Sequence, residues 1–483
     1  GPESVSFEYD GGAPLPSVVV SPGRGRDEIT TAEGFITSVV DATGVVSTTG
    51  RDAVGNPISH SKGGGAPWGF EFDSEGNITS TTAPQGRVWK ATWAPRATLK
   101  QEIDPLGRTS NYVYDSGRLI EQRLPGIQPS TFGYDAAGRL RTETSADGQV
   151  TRYEYDDAGN RTRVVEDNGA GAVTRYYCYD ARNQLTKVAT VAGCGSGVLE
   201  TYAYDDAGSR TANGSRTFTY SAAGQLSSCS SAACGTPTFD ADGRLTAITT
   251  ASGAWTYQYD AEGRLTTACK ASSCTGTPAR LAMTYDAQGH RIRLVETTAR
   301  GSPTITTTDF SYEGDRVVRE VSVTGATTVT RTFTTDEAGA IIKLTIVTTG
   351  GGSTADDGTY LVTYNGHGDA IALAEIDPST GVLTTANRVT YSTWGTPTVT
   401  THNGYANLGF RYLYVGRFDV QWDDFSSAGL LYMHARHYHP EFGRFLQPDP
   451  SAAETNLYAY AENSPITKID PSGMAYVTYL YVR

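Results

Sequence analysis

Residues 153–166 read YEYDDAGNRTRVVE and contain the signals of a repeated β-hairpin. Tyr153 and Tyr155 are two positions apart, and successive side chains of a strand alternate between its faces, so both tyrosines lie on one face. Asp156 can accept hydrogen bonds from the backbone of the turn that follows, and Gly159 supplies the positive φ that this turn needs. Alternation of side chains resumes after the turn. The stretch therefore predicts two strands joined by an Asp-capped turn.

The same pattern, aromatic-x-Tyr/Phe-Asp-x-x-Gly-Arg/Asn-Leu/Ile, recurs along most of the chain. The aromatic residue that marks each unit returns every 16 to 26 residues, at Tyr114, Tyr134, Tyr155, Tyr179, Tyr204, Tyr220, Phe239, Tyr259 and Tyr285. This spacing accommodates two strands and two turns in each unit. A lone hairpin is marginal in water, so neighbouring units must stack their aromatic faces. We therefore predict an all-β protein whose hairpins form one long curved sheet around a cavity.

Composition narrows the functional classes. The 483 residues include 54 Gly and 29 Tyr but only 3 Met, which favours strands and turns over helices. A formal net charge of −13 argues against a nucleic-acid partner, because such a partner needs clustered Lys and Arg. No apolar run of the sequence approaches the roughly 18 residues of a membrane helix, so we expect no membrane span.

The six cysteines are arranged in three local pairs. An even number of cysteines at short spacings favours disulfides in an exported protein. Two alternatives to disulfides remain: all six thiols are free, or the two C-x4-C pairs supply four thiolates to a zinc ion. The candidate pairs are Cys178 with Cys194, Cys229 with Cys234, and Cys269 with Cys274.

Two further motifs lie near the end of the chain, GLLYMHARHYHPEFGRFLQPDP at residues 429–450 and NLYAYAENSPITKIDPSGM at residues 456–474. Together with the Tyr-Asp repeats, they resemble the RHS/YD-repeat family over nearly the whole chain, and the two motifs resemble its RHS repeat-associated core. The family includes bacterial polymorphic toxins, C components of insecticidal toxin complexes and the related teneurins. The resemblance implies that YD-repeat hairpins form a spiralling sheet and a hollow shell, or cocoon, which the core closes.

The resemblance also implies a division of the chain into three parts. Residues 1–400 would form the repeat shell, residues 401–474 the core that acts as plug and autoprotease, and residues 475–483 the start of a truncated C-terminal passenger. The expected partner is the protein's own C-terminal toxin domain, which this sequence does not contain. Missing N-terminal repeats or another shell component would complete the shell. The expected location is outside the cell or on the bacterial cell surface.

Family members with a self-cleaving core cut their chain after the last residue of a DPxGL motif, with one arginine and two aspartates implicated. Matching motif to motif gives Arg436, Asp449 and Asp470 as catalytic residues and the bond from Met474 to Ala475 as the cleavage site. Peptide hydrolysis needs an activated water and a protonated leaving amine. Two carboxylates that share one proton can supply both, because like charges push one pKa up. The arginine would hold one carboxylate ionised or stabilise the developing oxyanion.

The sequence also allows a different function, in which the core has no catalytic role. Asp-Pro is also an ordinary turn opener, and Arg436 would then only fix the register of the core. The chain would in that case be a cell-surface adhesion or interaction module, including a carbohydrate-binding one, with a purely structural core. Neither function calls for a cofactor or a metal ion.

The segment HARHYHP offers a competing metal site. His437 and His439 share a strand face with His434 nearby, but a strand presents a third zinc ligand poorly. Aromatic-like packing or a surface position is therefore the favoured interpretation. Other aromatic residues are expected to pack in the shell or the plug, with a sugar-binding face as the alternative. These residues are Trp394, Trp422, Tyr412 and Tyr414.

Overall fold

The computed structural model of the chain divides into two compact units, Gly1–Pro129 and Ser130–Arg483. The described residues contain 42 strands, four single turns of 3-10 helix and no α-helix, so the predicted all-β class is confirmed. No helix in this part of the chain is therefore long and apolar enough to cross a membrane. The structure describes residues 6–9, 15–21, 25–32, 34–40, 46–62, 64–83, 86–104, 107–167, 171–230, 235–276, 278–286, 288–299, 303–313, 316–336, 339–451 and 456–478.

In the first unit, the strands pair antiparallel with one another in chain order. The described strands are β1 (Ser6–Glu8), β2 (Val18–Ser21), β3 (Gly25–Ala32), β4 (Phe35–Val40), β5 (Val46–Arg51), β6 (Pro57–Lys62), β7 (Trp68–Phe72), β8 (Ile78–Thr82), β9 (Val88–Ala94), β10 (Thr98–Ile103), β11 (Thr109–Asp115) and β12 (Arg118–Arg123).

The second unit begins with strands that follow the same rule of pairing with the next in the chain. They are β13 (Ser130–Tyr134), β14 (Leu140–Thr144), β15 (Val150–Tyr155), β16 (Arg161–Asp167), β17 (Ala172–Tyr179), β18 (Leu185–Ala189), β19 (Val198–Tyr204), β20 (Arg210–Asn213), β21 (Arg216–Tyr220) and β22 (Leu226–Cys229), with the 3-10 turn η1 (Ala192–Cys194) between β18 and β19.

A second sheet of the same unit contains fourteen strands, again paired in chain order. They are β23 (Thr238–Phe239), β24 (Leu245–Thr250), β25 (Gly253–Tyr259), β26 (Leu265–Cys269), β27 (Arg280–Tyr285), β28 (Arg291–Thr297), β29 (Ile305–Glu313), β30 (Arg316–Thr324), β31 (Thr327–Thr335), β32 (Ile341–Thr349), β33 (Gly358–Tyr364), β34 (Ala370–Ile376), β35 (Leu383–Tyr391) and β36 (Pro397–Thr401).

The chain after β36 folds into short elements, which we call the core segment (residues 402–478). A four-stranded sheet contains β37 (Gln421–Asp423), β38 (Leu430–Met433), β39 (Arg436–His439) and β40 (Arg444–Phe445). A two-stranded hairpin follows, β41 (Lys468–Ile469) with β42 (Val477–Thr478). The 3-10 turns are η2 (Gly416–Phe418), η3 (Phe425–Ser427) and η4 (Ala461–Asn463).

The Asp of each repeat caps its hairpin turn as the sequence predicts. Asp156 accepts a hydrogen bond from the backbone nitrogen of Asn160 to its Oδ1 at 2.8 Å, and Gly159 has a φ of 88°. The turn thereby satisfies backbone donors that would otherwise be unpaired. The same bond from the fourth residue after the Asp recurs at Asp52, Asp73, Asp104, Asp135, Asp180, Asp205, Asp240, Asp260, Asp286 and Asp336.

In many repeats, the Tyr that precedes the hairpin turn bonds to the preceding repeat. The hydroxyl of Tyr155 donates to the backbone oxygen of Leu140 at 2.7 Å, five residues after the Asp of the preceding repeat. Arg139 packs over the Tyr155 ring, with Cζ 4.7 Å from its centre, and donates to the backbone oxygen of Asp156 at 2.7 Å. The repeat motif is therefore a set of contacts between neighbours. The tyrosine bond recurs at Tyr179, Tyr204, Tyr220, Tyr259, Tyr285, Tyr312 and Tyr391.

The Leu that ends the motif is part of the hydrophobic core of the second unit. Burying one leucine side chain contributes about 2 kcal/mol. The array therefore gains much of its stability from this repeated position. Leucines buried in this way are Leu140, Leu185, Leu226, Leu245 and Leu265.

The core segment contacts the turns of five successive repeats in the second unit. In each contact, a core side chain donates a hydrogen bond to the carbonyl oxygen of the turn glycine. A turn glycine leaves its backbone open to such an approach, since it has no side chain. These contacts fix the core segment in register with the array. The donors and glycines are Asn463 with Gly208, Arg444 with Gly224, Tyr458 with Gly243, Gln447 with Gly263, and Tyr432 with Gly289.

Candidate functional site

The three predicted catalytic residues come together in the core segment. Arg436 is the first residue of β39, Asp449 follows β40, and Asp470 follows β41. All three are buried, with 3%, 6% and 2% of their surfaces exposed. The bond from Met474 to Ala475 lies in the loop between β41 and β42, so pairing of these two strands holds it next to Asp470.

Arg436 is held by three acceptors. Its Nη2 donates to Asp470 Oδ2 at 3.1 Å, its Nη1 to the backbone oxygen of Leu457 at 3.1 Å, and its Nε to the backbone oxygen of Gly473. Its Cζ lies 3.6 Å from the centre of the Phe445 ring. A guanidinium group with several acceptors and an aromatic face keeps its charge when buried. Arg436 therefore fixes both Asp470 and the strand that leads to Met474.

Asp470 contacts the nitrogen of the predicted cleavage site directly. Its Oδ1 accepts hydrogen bonds from the backbone nitrogens of Met474 at 3.1 Å and Ala475 at 3.2 Å. Burial raises the pKa of this carboxyl group, and the charge of Arg436 opposes that change. The carboxylate that accepts these bonds is thus more basic than an exposed aspartate.

Asp449 reaches the same peptide group through Ser451. Its Oδ1 accepts hydrogen bonds from the Ser451 backbone nitrogen at 2.8 Å and from Ser451 Oγ at 2.7 Å. Ser451 Oγ is also 3.3 Å from the carbonyl oxygen of Met474. Ser451 was not predicted from the sequence. The available signal was the repeated Asp-Pro-Ser, at residues 449–451 and again at residues 470–472.

Gly473 is needed for the chain to pass close to Arg436. Its φ is 65°, and a Cβ placed there would lie 2.5 Å from the backbone oxygen of Met433 and 3.0 Å from the backbone nitrogen of Arg436. A further hydrogen bond from the Ala435 nitrogen to the Ser472 oxygen, at 3.1 Å, holds the loop in place. Any larger residue would push the loop away from the arginine.

The two carboxyl groups therefore flank one peptide group, Asp470 at its nitrogen and Asp449, through a hydroxyl, at its oxygen. Met474 has 43% of its surface exposed and Ser451 is also exposed, so water can reach the carbonyl side of the bond. This is the set of groups that hydrolysis of an amide requires. The same contacts at Asp470 also resemble an Asp-capped turn, which is the structural alternative.

The structure joins two of the three predicted cysteine pairs as disulfides, Cys178 with Cys194 and Cys269 with Cys274. The third predicted pair includes Cys234, which lies outside the described residues. Both of these bridges close short loops within the repeats of the second unit. They fit an oxidising compartment.

The histidines of the core segment pack against aromatic rings. His437 lies 5.2 Å from the Tyr432 ring and His439 lies 4.8 Å from the Phe442 ring. Burial lowers the pKa of His437 to about 3 and that of His439 to about 4, so both are neutral at pH 7. No group of three potential metal ligands occurs in the described part of the chain.

The other aromatic candidates belong to the packing between the core segment and the repeats. Trp394 lies 5.6 Å from the Tyr202 ring, and Tyr412 lies 5.2 Å from the Phe333 ring. Tyr414 is buried as well. Trp422 is partly buried and packs against the buried hydrophobic residues of the second unit. These side chains serve as contacts inside the second unit.

Parts of the chain are similar to known proteins. The RHS Repeat family model matches residues 134–170 and 239–268. The chain is 29% identical over 347 residues to the tRNA3(Ser)-specific nuclease WapA of Bacillus spizizenii, covering 70% of this chain and 12% of that protein. It is 39% identical over 94 residues to double-stranded DNA deaminase toxin A of Burkholderia cenocepacia, covering 19% of this chain and 6% of that protein. The chain thus spans a small part of these curated relatives.

A solved structure shares the fold. The Tc holotoxin pore of Photorhabdus luminescens, with a mutation in TccC3, matches with a TM-score of 0.67 and 16% identity, over 97% of this chain and 28% of that chain. At such an identity the likeness concerns the fold alone. The chain thus contains RHS repeats at residues 134–170 and 239–268, and its relatives and shared fold support its resemblance to RHS/YD-repeat proteins.

Proposed function

We propose that this chain is the shell and core of a longer exported protein, and that the core cuts the chain once, between Met474 and Ala475. One observation carries the proposal. Asp470 contacts the nitrogen of that peptide bond and Asp449, through Ser451, contacts its oxygen. In this proposal, residues 1–400 form the shell, residues 401–474 the plug and single-turnover autoprotease, and residues 475–483 the start of the passenger.

The passenger is proposed to be a toxin domain that the shell encloses. The relatives named above are a nuclease and a deaminase toxin, and the shared fold is that of a toxin complex component. The two disulfides support export to the cell surface or beyond. Further N-terminal repeats or another shell component would complete the enclosure.

The chemistry assigns one role to each charged group. Ionised Asp470 takes a proton from water as the water oxygen attacks the carbonyl carbon of Met474, and Asp449 supplies a proton on the carbonyl side. As the intermediate collapses, Asp470 passes its proton to the nitrogen of Ala475, the carbon–nitrogen bond breaks, and Asp449 takes back a proton from the carbonyl side. The charge of Arg436 opposes the rise in the pKa of Asp470 that burial causes, and Arg436 holds the substrate strand through Gly473. One water is consumed, and one carboxyl and one amino terminus form.

Intact-mass measurement of the purified chain tests the proposal. Incubation without added protease should yield fragments 1–474 and 475–483. Asp470→Asn and Asp449→Asn should each abolish the cut, because each removes a titratable oxygen while keeping the size of the side chain. Asp377→Asn, in an exposed turn between β34 and β35, is the matched control and should be cut like the parent.

The outcome also separates the proposal from the alternative function. A chain that stays whole, or an Asp470→Asn variant that is cut as fast as the parent, would leave the two Asp-Pro segments as turns. The core would then be purely structural, as in a cell-surface interaction module. Circular dichroism of each variant establishes that the β structure is unchanged.

A further inference from the structure

We propose that Ser451 is a fourth catalytic group of the core, and that its hydroxyl carries the proton of Asp449 to the carbonyl oxygen of Met474. This inference rests on the proposed self-cleavage. It concerns how the acid on the carbonyl side reaches the reacting oxygen.

The position of the hydroxyl carries the inference. Ser451 Oγ lies 2.7 Å from Asp449 Oδ1 on one side and 3.3 Å from the carbonyl oxygen of Met474 on the other. The backbone nitrogen of Ser451 donates to the same Asp449 oxygen at 2.8 Å, which fixes the carboxyl group relative to the hydroxyl. The hydroxyl therefore stands between the acid and the oxygen that becomes negative in the transition state.

One hydroxyl proton cannot serve both oxygens at once. When Asp449 is ionised, the proton of Ser451 points to the carboxylate, and the carbonyl oxygen of Met474 loses this donor. When Asp449 is protonated, it donates to Ser451 Oγ, and the hydroxyl can then donate to the carbonyl oxygen. Only the second arrangement stabilises the oxyanion, so the relay requires a proton on Asp449.

This placement of the proton agrees with the contacts of Asp470. Both of its oxygens accept hydrogen bonds, Oδ2 from Arg436 and Oδ1 from the backbone nitrogens of Met474 and Ala475. These contacts oppose the rise in the pKa of Asp470 that burial causes. The two aspartates would therefore have different roles, Asp470 as the general base and Asp449 as the general acid.

The proton movements balance. As water attacks the carbonyl carbon, the hydroxyl proton of Ser451 moves to the carbonyl oxygen and the proton of Asp449 moves to Ser451 Oγ. When the intermediate collapses, a proton returns by the same route to Asp449, and Asp470 protonates the nitrogen of Ala475. Ser451 forms no covalent bond with Met474 at any stage.

Three substitutions in the full chain test the relay, with the rate of appearance of fragments 1–474 and 475–483 as the readout. Ser451→Ala should slow the cut about a hundredfold, as expected for loss of one oxyanion donor. Ser451→Thr should restore most of the rate, because it keeps the hydroxyl and the site is exposed enough for a methyl group. Ser464→Ala is the matched control and should be cut at the parent rate. Ser464 lies in the same core segment, is fully buried, and its hydroxyl has no hydrogen-bond partner among the described residues.

Hydroxylamine distinguishes the relay from a nucleophilic serine. If Ser451 formed an ester with Met474, hydroxylamine would convert the new terminus of fragment 1–474 into a hydroxamate. A free carboxyl terminus in the presence of hydroxylamine supports the relay, and a hydroxamate overturns it. A Ser451→Ala variant cut at the parent rate overturns it as well. These results differ from failure of the proposed function itself, in which the parent chain stays whole or Asp470→Asn is still cut.

Discussion

Arg291 on β28 and Asp423 on β37 form a fully buried ion pair between the repeat array and the core segment. Arg291 Nη1 lies 2.5 Å from Asp423 Oδ2, and its Nη2 lies 3.1 Å from Asp423 Oδ1. Arg411 also donates to Asp423 Oδ1 at 3.2 Å. Removing one member would leave buried charges without compensation, which makes this pair a sensitive point of the interface.

We therefore expect Asp423→Asn to lower the free energy of unfolding by about 3 kcal/mol. The matched control is two residues further along β28, where Arg293 forms a two-bond ion pair with Asp309 through Nε and Nη2, and both side chains are about half exposed. Asp309→Asn should change stability by less than about 1 kcal/mol, because water screens that pair. Urea denaturation of both variants measures the difference. Equal effects would contradict the assignment of a buried, core-anchoring role to the first pair.

The tyrosine contacts between repeats give a second prediction. Tyr259 donates to the backbone oxygen of Leu245 at 2.7 Å, whereas the hydroxyl of Tyr257, on the same strand, has no partner among the described residues. Tyr259→Phe should destabilise the chain by about 1–2 kcal/mol, because it leaves a carbonyl group unpaired. Tyr257→Phe should have almost no effect or stabilise slightly. Thermal unfolding of the two variants compares them, and a larger loss at Tyr257 would rule out the inter-repeat bond as the cause.

Stability should fall as the pH rises through neutrality. Glu143 Oε1 accepts hydrogen bonds from the Tyr153 hydroxyl at 2.5 Å and the Gly366 nitrogen at 2.8 Å, and burial raises its pKa to about 7. A carboxyl group with a raised pKa favours the folded state at low pH, and this contribution is lost as the pH rises through the folded-state pKa. The loss amounts to about 3 kcal/mol at most, since each pH unit of displacement corresponds to about 1.4 kcal/mol.

Glu143→Gln should therefore flatten the decrease in unfolding temperature between pH 5 and pH 8. Burial also raises the pKa of Asp419 to about 7, so adding Asp419→Asn should flatten it further. Scanning calorimetry of the parent and both variants across this range gives the slopes. If the single variant kept the parent's slope, the titrating group would have to be sought elsewhere in the chain.

The local parts of this structure were predictable from the sequence, and the long-range parts were not. The turn at Asp156 and Gly159 depends on residues within a few positions, so its motif is sufficient. The bond from Tyr155 to Leu140 depends on which strands pair, and the partner of Arg291 lies 132 residues away. No pattern within one repeat contains that information.

In the candidate site, too, only part of the arrangement could be predicted from the sequence. The resemblance to a family core supplied the aspartates and Arg436, and the structure brings them to one peptide bond. It did not supply Ser451, since the serine matters only after the loops carrying Asp449 and Met474 have come together. Side chains that act between loops need the tertiary structure to be recognised.

Gly473 should be essential for the cut. Gly473→Ala introduces a Cβ that would meet backbone atoms of Met433 and Arg436, so the loop carrying Met474 must move away from Arg436. We expect at least a tenfold slower cut, on the order of the effect of a misplaced reacting group. Gly404→Ala is the control, because Gly404 also has a positive φ but a Cβ added there would meet no atom within 4 Å. Fragment appearance measured by mass spectrometry should be slowed only in the first variant.

Arg436→Lys should impair the cut while leaving the chain folded. An ammonium group cannot reach Asp470, Gly473 and Leu457 together, as the guanidinium group does, so Asp470 would lose its fixed orientation and part of its ionisation. We expect a loss of about a hundredfold in rate, within the range known for general acid–base groups. Arg444→Lys in the same sheet removes an arginine that bonds to the Gly224 oxygen in the array, and it should affect stability rather than the cut. If Arg436→Lys were cut as fast as the parent, the only role of the arginine would be to fix the register of the core. The two aspartates would then activate the bond without it.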